Sequence, residues 1–193
     1  MQEIKIGFKT YKIIEPLEDG SFIAERKGKQ YLIRDTHQNL KEYYHLLDSY
    51  KRFANTGIKH AKIRGKDKKR GLVVIDYIQG ETVFDMLKND DLPEIVYEKI
   101  FLMAYMAKVE KKSLNFNPEL FKFDGKELYY TSEELYEFND ETKFINKGIR
   151  LWFYTREFVA LLNEKGLTAD KSRIKEDYVV NKQIVLMTCK YYH

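Results

Sequence analysis

Short runs of alternating apolar and polar residues fill the first third of the chain. Runs of this kind, separated by tight polar turns, are typical of antiparallel strands in a meander. The pattern predicts strands at Ile4–Phe8, Tyr11–Leu17, Phe22–Arg26, Gln30–Arg34, Ala61–Arg64 and Leu72–Ile78. From these runs we predict a five-stranded antiparallel sheet.

A helical period interrupts the strands between Asn39 and Ala54. Leu40, Tyr43 and Leu47 lie three or four residues apart, so they share one face of a helix. The first third of the chain is therefore predicted to run as strands, one helix and then strands again.

Helical patterns dominate the second half. A short helix is predicted to begin at Thr82, and a long one at Pro93, with an apolar stripe that reaches Ala107. A second strong helix is predicted over Ile149–Lys165. Residues 167–193 fit one more helix, although their β-branched content also suits a strand.

Between the two long helical patterns lies a polar loop and then a hairpin, Ser113–Tyr130. Asn115 and Asn117 favour a turn, and Asp124-Gly125 separates two short β-prone runs. Asp-Gly between such runs is the strongest short-range hairpin signal in a sequence. We therefore predict the order helix, loop, tight hairpin.

This order resembles the catalytic segment of protein kinases, and the run SLNFNPEL is similar to the kinase motif HxDxKPxN. The strand–helix–strand order before it is similar to a kinase small lobe. The resemblance covers roughly residues 10 to 165 and implies an α+β, two-lobe, protein-kinase-like fold. Residues 1–79 would form a small lobe with an antiparallel five-stranded sheet and one helix. Residues 80–193 would form a reduced helical large lobe, and the two lobes together would form one compact unit.

The residues that carry kinase catalysis are replaced at the matching positions. These are Asn115 for the catalytic aspartate, Asn117 for the lysine, Leu120 for the metal-binding asparagine and Thr131 or Ser132 for the metal-binding aspartate. An amide does not accept a proton at neutral pH, and leucine does not ligate a metal. The resemblance therefore implies a pseudokinase-like domain without a cofactor. ATP and magnesium stay open, since Glu133 and Glu134 follow closely.

Three positions of the small lobe carry a similar comparison. Gly20 is a single glycine where kinases have a glycine-rich loop, and a plain hairpin turn explains it as well. Arg34 stands where kinases place the lysine that holds the phosphates. Glu42 is the candidate for the helix glutamate that pairs with this cation, and a surface glutamate on an amphipathic helix is an equal alternative.

A hinge-like segment follows the last strand of the small lobe. The apolar run that begins at Leu72 leads into Asp76 and Tyr77, and Gly80 breaks it before the short helix. This order resembles the kinase segment that connects the two lobes.

Positive charge is concentrated between Lys59 and Arg70. The candidate basic patch consists of Lys62, Arg64, Lys66, Lys68, Lys69 and Arg70. One interpretation is a solvated hairpin tip, and the other is a contact for nucleic acid, an anionic membrane surface or an acidic partner. A net charge of only +4 does not decide between them.

The remaining composition excludes several classes of site. Cys189 is the only cysteine, so an intrachain disulfide and a cysteine-based zinc site are excluded, and a cytoplasmic location fits. Cys189 and Trp152 are predicted to be buried. No window reaches about 18 consecutive apolar residues, so we expect no transmembrane segment. The four histidines lack metal-ligand spacing, and no P-loop or GxSxG motif occurs.

Three hypotheses for function follow. The first is a catalytically inactive pseudokinase-like domain that binds a protein partner as an interaction or regulatory module. The second is an atypical small phosphotransferase that uses Arg34, Glu42 and the downstream glutamates. The third is a basic nucleic-acid-binding protein that uses the Lys59–Arg70 run and exposed tyrosines.

Overall fold

The computed structural model describes residues 2–139, 143–146 and 148–191, and it shows a mixed α+β chain. The chain divides into two compact units. The first unit runs through Ala54 and resumes over His60–Ile78. The second unit takes Asn55–Lys59 and the chain from Gln79 onward.

One antiparallel sheet and one helix form the first unit. The strands are β1 Glu3–Ile6, β2 Lys9–Pro16, β3 Phe22–Arg26, β4 Lys29–Asp35, β5 Ile63–Asp67 and β6 Leu72–Asp76. Their order across the sheet is β1-β2-β3-β4-β6-β5, and the helix α1, Leu40–Arg52, connects β4 to β5. The predicted helix and strand order are confirmed. The sheet has six strands and not five, because the first run of the chain pairs along β2.

The two faces of the sheet bury different residues, because successive side chains of a strand point to opposite sides. On β6, Leu72 and Val74 join one cluster, which also contains Ile6, Tyr11, Ala24 and Ile33. Val73 and Ile75 point the other way and pack with Tyr43 and Leu46 of α1. The helix therefore covers one face, and the curled sheet buries the other face itself.

Side chains from β2 and from the turn after β5 donate to backbone carbonyls of the outer strands β5 and β1. Lys9 Nζ donates to the carbonyl of Arg64 at 3.0 Å, and the Arg70 guanidinium donates to the carbonyl of Lys5. These bonds satisfy carbonyl groups at edges that would otherwise face solvent.

The second unit contains four α-helices and five short strands among the described residues. The helices are α2 Val83–Asn89, α3 Glu94–Val109, α4 Arg156–Glu164 and α5 Asp177–Tyr191. The strands are β7 Glu81–Thr82, β8 Lys112–Ser113, β9 Phe121–Phe123, β10 Leu128–Tyr130 and β11 Tyr136–Glu137. As predicted, Thr82 caps α2 through a bond from the Asp85 amide at 3.1 Å, and Pro93 precedes α3.

The helix predicted over Ile149–Lys165 is wrong in its first half. Residues 148–152 form a 3₁₀ turn, and α4 begins only after Thr155. The Thr155 hydroxyl donates to the carbonyl of Arg150 at 2.8 Å and accepts from the Phe158 amide at 3.3 Å. This threonine therefore ends one turn and caps the next helix, which the apolar period does not reveal.

The C-terminal tail is helical, because α5 covers residues 177–191. The prediction that Cys189 is buried is wrong, since this side chain is exposed on α5. Among the described residues, no helix is both long and apolar enough to cross a membrane.

Aromatic side chains fill the core of the second unit. Trp152 is fully buried, as predicted, and its indole N–H donates to the carbonyl of Phe116 at 2.8 Å. Phe121 contacts the Trp152 ring edge-on at a centroid distance of 5.0 Å, and Phe144 does so at 6.0 Å. Trp152 thereby anchors the loop and hairpin that carry the candidate site.

Candidate functional site

The loop before β9 and the segment after β10 lie side by side. β8 pairs with β11, with Ser113 opposite Tyr136. β9 and β10 form the predicted hairpin, in which the Asp124 carboxylate accepts from the amides of Lys126 and Glu127. Because the hairpin returns the chain to its own start, residues 113–120 and 131–135 become neighbours. We call these two segments the loop site.

Leu120 and Thr131 meet at the centre of the loop site. The Thr131 amide donates to the carbonyl of Leu120 at 2.8 Å, and the Thr131 hydroxyl donates to the same oxygen at 3.0 Å. These are the two positions where the kinase resemblance implies magnesium ligands. The structure therefore brings them together, with an apolar side chain at one and a hydroxyl bonded to a carbonyl at the other.

Asn115 belongs to a self-contained turn at the exposed end of the loop site. Its side-chain oxygen accepts from the Asn117 amide at 3.1 Å, as in an Asx turn. Asn117 in turn accepts from the Glu119 amide at 3.1 Å and caps a 3₁₀ turn over Pro118–Leu120. Both asparagines thus hold backbone groups, and Asn115 has no carboxylate to take a proton from a substrate hydroxyl.

Tyr130, the last residue of β10, adjoins the loop site, and the sequence did not reveal its role there. Its buried hydroxyl accepts from the Asn115 amide at 3.2 Å and donates to the carbonyl of Glu134 at 3.1 Å. Burial raises the pKa of this hydroxyl. Tyr130 therefore joins the two segments, although in the sequence it is one more aromatic residue of a β-prone run.

The acidic residues near the loop site are engaged in contacts of their own. The Glu134 carboxylate accepts from the Tyr136 hydroxyl and raises the pKa of that tyrosine to about 12. Ser132 accepts from the Glu134 amide at 3.1 Å, and Glu119 pairs with Lys165 at 2.6 Å. Glu133 is half-buried and has a contact of its own. Within the described ranges, no three His, Cys, Asp or Glu residues form a group that could hold a metal ion.

The small-lobe positions lie in the first unit. Gly20 has a φ of +78°, and a Cβ there would lie 2.6 Å from the His37 ring. Arg34 Nε lies 3.9 Å from the carboxylate of Asp19, the residue that precedes Gly20 in this turn. Glu42 is exposed in the first turn of α1, where its amide donates to the Asn39 cap at 3.3 Å. The structure thus brings Arg34 to the Gly20 turn and places Glu42 at the solvent side of α1.

The hinge-like residues fall on both sides of the boundary between the units. Asp76 and Tyr77 lie next to the end of the first unit, whose last residue is Ile78. Gly80 belongs to the second unit. Asp76 pairs with Arg64 at 2.6 Å and with Lys29 at 2.9 Å. Burial raises the pKa of the Asp76 carboxyl, but the bonds from Arg64 and Lys29 outweigh burial and hold the pKa below its usual value.

An Asp76→Asn variant is expected to lose about 1 to 2 kcal/mol of stability at neutral pH, because charge-assisted bonds are lost while both cations still reach solvent. A carboxyl whose pKa is lower in the folded than in the unfolded protein stabilises the fold at pH values above its unfolded pKa, which is about 3.9. The difference between the two proteins should therefore vanish as pH falls through the folded pKa. Urea unfolding at pH 7 and in acid checks this.

The control is Asp48→Asn, at an exposed position, whose stability is expected to lie within about 0.5 kcal/mol of the wild type at neutral pH. An Asp76→Asn loss that persists in acid would contradict the assignment.

The basic patch divides into paired and unpaired side chains. Arg64 pairs with Asp76, Arg70 pairs with Asp67 at 2.8 Å, and Lys68 lies over the Tyr44 ring at 5.3 Å. Lys62, Lys66 and Lys69 are exposed and make no ion pair in the part of the chain that the structure describes. Arg64 and Lys66 lie within β5 and not in a loop tip. The patch is therefore partly structural, and its free charge comes from lysines.

Lys59 lies outside the patch, in the second unit, where its carbonyl accepts from the Tyr130 amide at 2.9 Å.

The architecture on which the resemblance rests is present in each unit. The first has strands, one helix and two further strands, and the second has a long helix, a loop and a tight hairpin. This mixed α+β architecture, with its curled antiparallel sheet, is consistent with the fold that the resemblance implies.

Comparisons with known proteins add a likeness to solved structures. No protein-family model and no curated protein matches the chain. Among solved structures, the chain is similar to PK-1, a kinase of the Cydia pomonella granulovirus, with a TM-score of 0.45 and 17% sequence identity. The match covers 64% of this chain and only 50% of the viral kinase.

Proposed function

We propose that the chain is a pseudokinase-like domain that acts by binding a protein partner and does not transfer phosphate. The observation that carries this proposal is the meeting of Leu120 and Thr131, since these residues occupy the implied metal positions with neutral side chains. Kinase-type transfer depends on metal ions that neutralise the developing charge and on a base that receives the hydroxyl proton. Asn115 cannot serve as that base, because it carries an amide.

Exposed apolar side chains on the helices support a protein partner. On α3, Leu102 is 50% exposed and Val109 is 59% exposed. On α5, Val185 and Leu186 are each 61% exposed. Apolar side chains at a surface are the usual anchors of protein interfaces. The proposed partner surface therefore lies on the second unit.

We expect no magnesium-dependent stabilisation by ATP and no transfer of its terminal phosphate. A ligand at about 100 times its dissociation constant stabilises a protein by roughly 2.7 kcal/mol, so binding of this strength is visible in a thermal-shift titration. The titration is run with ATP, with magnesium, and with both, and radiolabelled ATP is used to detect autophosphorylation.

The matched control is the double variant Leu120→Asn, Thr131→Asp, which returns an amide and a carboxylate to two adjoining backbone positions. This variant is expected to gain a magnesium-dependent shift, since both groups are oxygen ligands. Autophosphorylation of the wild type that disappears in Arg34→Ala would overturn the proposal and favour the phosphotransferase hypothesis.

A further inference from the structure

The turn between β1 and β2 holds an aromatic side chain in solvent. Ile6 pairs with Lys9, so Gly7 and Phe8 form a two-residue turn. Gly7 has a φ of +58°, and a Cβ added there would meet no atom within 4 Å. Phe8 is 104% exposed, the highest value among the large apolar side chains that the structure describes. This ring contributes no burial to the fold, so the fold does not explain its presence.

Lysines lie on the strands next to the Phe8 turn and on the neighbouring strand β5 with its following turn. Lys5 and Lys9 flank it on β1 and β2, and the bonds from Lys9 to the Arg64 carbonyl and from Arg70 to the Lys5 carbonyl bring β5 alongside. Lys66 is exposed on β5, and Lys69 is exposed in the turn that follows. In the described part of the chain, none of Lys5, Lys9, Lys66 and Lys69 makes an ion pair. The exposed Phe8 ring thus projects from a turn whose neighbouring strands carry lysines without ion pairs.

We propose that the Phe8 turn and these four lysines form a docking site for the surface of an anionic lipid bilayer. The phenyl ring would enter the boundary between headgroups and acyl chains, while the ammonium groups contact headgroup phosphates and carboxylates. We refer to the Phe8 turn with Lys5, Lys9, Lys66 and Lys69 as the tip surface.

The geometry favours a bilayer over nucleic acid. Proteins that bind single strands stack successive bases on aromatic side chains along a positively charged groove. Here one ring without a polar edge stands at a protruding two-residue turn. A protruding apolar ring can be buried in a lipid interface, which also removes its exposed surface from water.

Co-sedimentation of the full chain with vesicles tests the proposal. We expect binding to phosphatidylcholine vesicles that contain about one fifth phosphatidylserine, at ~0.05 M salt, and little binding to vesicles of phosphatidylcholine alone. Phe8→Ser is expected to weaken binding about tenfold, because the apolar contribution is lost. The triple variant Lys5→Ser, Lys9→Ser, Lys66→Ser is expected to weaken it on the order of 100-fold, at about fivefold for each lysine.

Two matched controls separate the tip surface from general charge and apolarity. The triple variant Lys51→Ser, Lys126→Ser, Lys182→Ser removes the same charge from exposed positions elsewhere. Tyr178→Ser removes another exposed aromatic side chain, on α5. Both are expected to bind vesicles within about twofold of the wild type. Circular dichroism verifies that each variant is folded.

Fluorescence gives a second readout, which reports whether the side chain at position 8 enters an apolar environment. A Phe8→Trp variant places an exposed indole at the tip, in contrast to the buried Trp152. We expect its emission to shift to the blue when anionic vesicles are added. Vesicle binding without this shift, or binding that Phe8→Ser leaves unchanged, would overturn the proposal. Duplex DNA that displaces the protein from vesicles while Phe8→Ser has no effect would instead indicate a general polyanion site.

Discussion

Replacing Trp152 by alanine is expected to lower the free energy of unfolding by about 3 to 5 kcal/mol, the range for a large aromatic residue removed from a core. The indole is fully buried, contacts Phe121 and Phe144, and donates to the Phe116 carbonyl. The variant loses this packing and also leaves a buried carbonyl without its donor. Urea unfolding followed by circular dichroism measures the change.

Trp152→Phe separates packing from the hydrogen bond. It keeps an aromatic ring but removes the indole N–H, so we expect a smaller loss of about 1 to 3 kcal/mol. A loss below about 1 kcal/mol for Trp152→Ala would contradict the assignment of this residue to the centre of the core.

Gly80→Ala is expected to destabilise the protein by about 2 to 5 kcal/mol, because two costs combine. Gly80 has a φ of +118°, which L side chains rarely adopt. An added Cβ would also lie 2.3 Å from the carbonyl oxygen of Phe123, which belongs to the backbone of β9 and has little room to move. The variant should therefore disturb the pairing of β7 with β9, in which Glu81 lies opposite Phe123.

Gly125→Ala is the matched control for this prediction. Gly125 also has a positive φ, of +93°, but a Cβ there would meet no atom within 4 Å. It should show only the backbone cost, about 1 kcal/mol or somewhat more. Equal losses for the two variants, measured by thermal and urea unfolding, would show that the contact with Phe123 is not the decisive factor.

Much of the fold could be predicted because its signals are local. The 3.6-residue period over Leu40, Tyr43 and Leu47 predicts α1, and Asp124-Gly125 predicts the β9–β10 hairpin. The positions matched to the kinase metal ligands came from the resemblance and not from this local order. A tight hairpin returns the chain beside its own start. The contact between Leu120 and Thr131 follows from that geometry.

Other features could not be predicted because they depend on partners distant in sequence. The break in the predicted helix depends on the Thr155 hydroxyl and on neighbours that make a cap more favourable than a continued turn. The exposure of Cys189 depends on which side of α5 packs against the rest of its unit. Neither is encoded in the apolar period alone.

Most of the secondary-structure order, and the chemical identity of the groups at the kinase-like positions, follow from the amino-acid sequence alone. An amide at residue 115, an isobutyl group at residue 120 and a hydroxyl at residue 131 limit the chemistry of the loop site in any fold. How charge is distributed over the basic run, by contrast, depends on contacts that form only in the folded chain. Arg64 and Arg70 are used within the first unit, through Asp76, Asp67 and the Lys5 carbonyl. The reason is that carboxylates and carbonyls must meet donors wherever folding removes water, and a cation that pairs with an internal carboxylate no longer neutralises the charge of a partner.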